Sequence, residues 1–174
     1  MSGFSINRLL QIVGVSLALL CTGANFAQAQ LDMPPGYWEK VRADKRAWIA
    51  QNMELEPEEA KSFWPLYDEY QKDLGPLNQR LLDALVTYAK HYREQSLTDA
   101  TAERLLMERV SIDAGQARLQ RAYAKRLLKV LPGRKVARYL QLESRLQTVI
   151  RFELAQHVPL VGDVPPTGAT PPAK

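Results

Sequence analysis

Between residues 55 and 93, large apolar side chains recur at intervals of three and four. Phe63, Tyr67, Tyr70, Leu74, Leu77, Leu81, Leu85, Tyr88 and Tyr92 fall on one narrow stripe at 100° per residue. That stripe predicts one continuous amphipathic helix about 50 Å long at 1.5 Å per residue. Pro57 suits its first turn, Glu58 and Glu59 complement its dipole, and Glu56 takes the cap slot. Pro65 and Pro76 are eleven residues apart, nearly three turns, so both point roughly opposite the stripe. Prolines on the wet side predict a helix bowed around its buried face.

Three further segments share the helical period. The first runs from about Tyr37 to Gln51, behind the Pro34–Gly36 turn. The third starts near Ser96–Asp99, with Thr98 as its cap, and continues to Leu131 before Pro132-Gly133. The fourth runs from about Arg134 to Gln156 and stops before Pro159. No segment alternates with period two, so no strands are expected. The prediction is an all-α fold: four helices in long, bent, antiparallel hairpins joined by short turns. Helices this long cannot all hide their stripes in one small bundle. Either an apolar groove stays open or a second subunit covers it, and a homodimer is one expectation.

The two ends of the chain read differently. Arg8, the apolar run Ile12–Leu20 and the small-x-small triplet Ala27-Gln28-Ala29 mark residues 1–29 as a cleaved signal peptide. The apolar run is far shorter than the roughly 20 residues that span a bilayer, so no integral membrane segment is expected after cleavage. Residues 30–157 form the helical domain. Residues 158–174, rich in proline and glycine, are expected to be a disordered tail. The one cysteine, Cys21, lies in the leader, which excludes disulfides from the processed chain. Export to the periplasm also argues against nucleic acid as a partner.

Charge is unevenly spread. Glu54–Glu69 holds six acids and one lysine. Ala114–Leu142 holds eight cations and no acid: Arg118, Arg121, Lys125, Arg126, Lys129, Arg134, Lys135 and Arg138. This run reads either as a solvated helix face or as a basic surface for acidic chains or anionic lipid head groups. Trp64 lies about 100° off the stripe, where it would anchor a neighbouring helix, a second subunit or a client chain. Trp64 and the eight cations are the candidate protein-binding surface.

Catalytic chemistry has no foothold in the pattern. His91 and His157 are far apart and no thiolate accompanies them, so no metal or cofactor is expected. Asp68 and Glu69 are helix neighbours that point about 100° apart, so they do not form an acid–base pair. No nucleotide-binding glycine motif and no nucleophile elbow is present. A non-enzymatic role is expected.

The stretch LEPEEAKSFWPLYDEYQKDL resembles the signature of the Spy/CpxP-type periplasmic proteins with LTxxQ motifs. Leu55, Glu56 and Glu59 stand where that motif has leucine, threonine and glutamine, and Leu131 begins a weaker second copy. The likeness covers most of residues 40–161 and is closest to a Spy-like subgroup of exported helical proteins. It implies bent helical hairpins, in the best-known member a cradle-shaped dimer, and ATP-independent binding of unfolded or partly folded proteins. The alternative is a regulatory adaptor for one envelope protein partner, such as a sensor domain.

Overall fold

The computed structural model describes residues 37–162, with side chains for 42–152 and 158–162. The expected signal peptide and most of the expected tail lie outside the described residues. Four helices follow in order: α1 (Tyr37–Met53), α2 (Pro57–Arg93), α3 (Asp99–Leu127) and α4 (Gly133–His157). Among the described residues there is no strand. The architecture is all-α.

Local chemistry sets the starts. The Glu59 carboxylate accepts a 2.9 Å hydrogen bond from the Glu56 amide, holding one free donor at the head of α2. Thr98 Oγ1 accepts from the Thr101 amide at 3.2 Å and caps α3. Helix α2 runs unbroken through Pro65 and Pro76, and both rings are exposed. Its 37 residues span about 55 Å. Helix α3 ends at Leu127, one turn before the expected Leu131. There the Val130 and Leu131 amides fold back onto the Leu127 carbonyl, and Pro132 offers its carbonyl to Lys135 and Val136 to begin α4. Proline disfavours helical backbone in the residue before it, which brings the stop forward.

The core lies at one end of the molecule. Trp48, Ile49 and Met53 of α1 meet Phe63, Tyr67, Tyr70 and Leu74 of α2. Tyr123 and Leu127 of α3, Leu131, and Val136, Tyr139, Leu142 and Leu146 of α4 complete it. Tyr139 sits at the centre, with ring centroids 5.1 Å from Phe63, 6.1 Å from Tyr67 and 6.3 Å from Tyr70, each edge-to-face. Such contacts add about 0.5–1.5 kcal/mol each beyond burial.

Past Leu74 the α2 stripe loses depth. Leu77, Leu81, Leu85, Tyr88 and Tyr92 are only half-buried, and α3 is the helix that packs most extensively along α2. A β-carbon on Gly115 would lie 2.9 Å from a Leu77 methyl, so glycine lets the two helices close up at this level. Further out, Arg80 holds Glu108 through two bonds of 2.7 and 2.9 Å. Residues 158–162, assigned from sequence to the tail, are described here. Pro159 accepts a 2.8 Å hydrogen bond from the Tyr88 hydroxyl.

Candidate binding surface

Trp64 does stand on the flank of α2, and it anchors a neighbouring helix. It packs edge-on against Phe63 at 4.9 Å and Tyr67 at 5.3 Å. The Arg46 guanidinium of α1 lies over its ring at 4.2 Å, while the same arginine pairs with Asp68. One face of the indole is therefore covered from within the chain.

The basic run divides in two. Arg126 pairs with Glu69 and lies over the Tyr123 ring at 4.6 Å. Lys135 reaches the Glu54 carbonyl and the Glu59 carboxylate, and Arg138 reaches the Asn52 carbonyl and the Glu54 carboxylate. These three cations tie α3 and α4 to α2 and to the turn behind α1. Arg118, Arg121, Lys125, Lys129 and Arg134 are exposed, and their side chains make no hydrogen bond or ion pair among the described residues. Five of the eight cations of the basic run thus face solvent with no partner among the described residues. Asp68 and Glu69 answer to cations on different helices, Arg46 on α1 and Arg126 on α3.

A polar network lies under the α1–α2 cleft. Glu143 of α4 is fully buried on the same face as Tyr139. It takes Lys45 of α1 at 2.9 Å, Gln71 of α2 at 3.0 Å and the Tyr139 hydroxyl at 3.2 Å. Gln71 also accepts from Lys45 at 2.9 Å. Among the described residues no buried side-chain nitrogen or oxygen lacks a partner. Burial, and then the Glu143 charge, push the Tyr67, Tyr70 and Tyr139 hydroxyls well above their ordinary range. Above this network the cleft holds about 540 Å³, bordered by Arg42, Lys45, Arg46 and Lys72. Lys45 and Arg46 are committed to Glu143 and Asp68, so the cleft is less cationic than its lining suggests.

No family model matches this chain. No curated protein and no solved structure matches it either. Among the described residues no group of three or more histidine, cysteine, aspartate or glutamate side chains is placed to hold a metal ion. No helix among them is long and apolar enough to cross a membrane.

Two features escaped the sequence reading. Glu143 carried a usable signal, since a lone acid between Tyr139, Leu142 and Leu146 interrupts an apolar face. The other is a set of large apolar side chains left in water. Leu106, Met107 and Val110 on α3 are 61%, 60% and 52% exposed, and Phe152 on α4 is 63% exposed. Leu106 and Val110 lie toward the side of α3 that carries Asp113, by helical spacing. Asp113 binds Arg151 at 2.9 Å, which ties the end of α4 to that side.

Proposed function

We propose that this chain is a non-enzymatic, ATP-independent holding protein for unfolded or partly folded clients in the periplasm. The observation that carries the reading is the exposure of Leu106, Met107 and Val110 within two turns of the first half of α3, with Phe152 also exposed near the end of α4. Large side chains grouped on a surface mark a place where another apolar surface docks. Methionine suits varied clients because its flexible thioether adapts to irregular shapes. The half-buried part of α2 supplies a second, shallower apolar row. Residues 55–74, with their likeness to the Spy/CpxP-type proteins, belong to the same proposal.

The test is light scattering from a chemically denatured client diluted into buffer with this protein. Near-stoichiometric amounts should suppress aggregation, and Met107→Glu with Val110→Glu should weaken the suppression while the helical circular dichroism stays unchanged. Scattering that a large excess of the protein leaves untouched would overturn the reading.

A further inference from the structure

We propose that the outer face of α3 docks on an anionic lipid bilayer. The feature is a row, not a general excess of charge. Arg118, Arg121, Lys125 and Lys129 follow one another at spacings of three, four and four, so they share one side of α3 and its C-terminal turn. That side is opposite the buried Ile112, Tyr123 and Leu127. From Arg118 to Lys129 the row is about 16 Å long at 1.5 Å per residue. All four cations are exposed and without a partner among the described residues, and no acid occurs in 114–142 to neutralise them. Leu128 stands seven residues after Arg121, on the same line, and is 54% exposed.

Charge and shape together select the occupant. A second copy of the chain is poorly suited, because its acids are largely engaged at home. Glu59 binds Lys135, Glu69 binds Arg126, Asp68 binds Arg46 and Asp113 binds Arg151. A peptide partner needs a groove to receive its side chains, yet this row stands on the outer ridge of a helix, and the described cleft lies between α1 and α2. A bilayer asks for no groove. It asks for cations in one plane, where each gains from the negative surface potential, and for an apolar side chain able to enter the interface. Leu128 supplies the latter.

Cosedimentation with vesicles tests this, using the full chain as cells process it. The protein should pellet with phosphatidylcholine–phosphatidylglycerol vesicles at low salt and be released as salt rises. The variant Arg118→Gln/Arg121→Gln/Lys125→Gln/Lys129→Gln should lose partitioning on the order of a thousandfold. Its circular dichroism should stay helical and its melting temperature should fall only slightly, because the four side chains make no hydrogen bond or ion pair among the described residues and the loss is confined to the cations at the α3 C-terminus. A charge-matched control, Lys61→Gln/Lys72→Gln/Lys90→Gln/Arg145→Gln, should keep most of the binding. Equal pelleting with pure phosphatidylcholine, or an equal loss in the control, would overturn the proposal. So would absence of vesicle binding alongside row-dependent retention on immobilised polyglutamate, which would assign the row to an acidic protein.

Discussion

At the level of Tyr139, α1, α2 and α4 close around a dry aromatic centre, and α3 joins through Tyr123 and Leu127. At the level of Tyr88, α2 has α3 on one side and the short segment around Pro159 on another. Both levels belong to the same helix and carry the same apolar period, yet Phe63, Tyr67, Tyr70 and Leu74 are buried while Leu81, Leu85 and Tyr88 are half in water. The difference comes from the number of neighbours and not from the helix itself. A helix stripe states which face turns inward, and only its partners decide how far. The packed end therefore holds the stability, and the arm holds the surface open to others.

The sharpest way to break the packed end alone is alkali. Tyr67, Tyr70 and Tyr139 have hydroxyls raised above their ordinary value near 10, first by burial and then by the Glu143 charge. Unfolding returns them to about 10, so above that pH the unfolded chain binds fewer protons than the folded one. Their contribution is fully present below about pH 10 and disappears as the pH climbs toward the folded values. Each phenol steepens the loss by about 1.4 kcal/mol per pH unit. Urea titrations across this range should show a steep fall in stability, with phenolate absorbance rising together with unfolding. Tyr139→Phe should flatten the slope. Phenolate appearing while the circular dichroism is still native would contradict the burial of these rings.

Next in size is the ion pair beneath the cleft. Lys45→Met leaves the Glu143 carboxylate buried without its cation, and such a loss costs about 3–5 kcal/mol. Glu143→Leu should cost less, because Lys45 is 21% exposed and its ammonium can turn to water. The double variant Lys45→Met/Glu143→Leu should recover most of the first loss, since an apolar pair can replace a buried ion pair at similar volume. Shifts in the urea midpoint measure all three. A double variant no better than Lys45→Met would mean that the network holds α1, α2 and α4 together through geometry that leucine and methionine cannot copy.

Much of this arrangement is legible in the residues, and for physical reasons. The α2 stripe, Pro57 at the head and Thr98 as a cap are local signals, readable because helix geometry maps spacing directly onto direction. The exposed Pro65 and Pro76 follow from the same mapping. The depth of the stripe past Leu74 is not local, because it depends on how far the other helices extend alongside α2. Nor is the division of the basic run: Arg121 and Arg126 look alike in sequence, and only the approach of Glu69 from α2 distinguishes them. The angle of Trp64 puts it on a flank, but its cover, Arg46, comes from another helix. Glu143 stood in plain view on an apolar face, and its burial became intelligible only with Lys45 and Gln71 beside it.

The smallest effect compares two turns, one at each end of α2. Glu54 and Gln95 both adopt φ of 51°, the left-handed conformation that favours glycine. An ordinary side chain there costs about 1 kcal/mol. At the arm tip, Gln95 is exposed, and the turn is closed by backbone bonds from its own amide to Tyr92 and from Ser96 to His91. Glycine reproduces those bonds without the crowding, so Gln95→Gly should stabilise by roughly 0.5–1 kcal/mol. At the packed end the same backbone relief comes with a loss. Glu54 holds Arg138 through its carboxylate at 2.8 Å, a partly exposed pair of the kind worth about 0.2–1 kcal/mol. Glu54→Gly should therefore come out near zero. Urea midpoints of the two variants should separate in that order. Equal gains would show that the Arg138 clamp adds nothing, and that the turn behind α1 is held by the Lys135 and Arg138 bonds to backbone carbonyls alone.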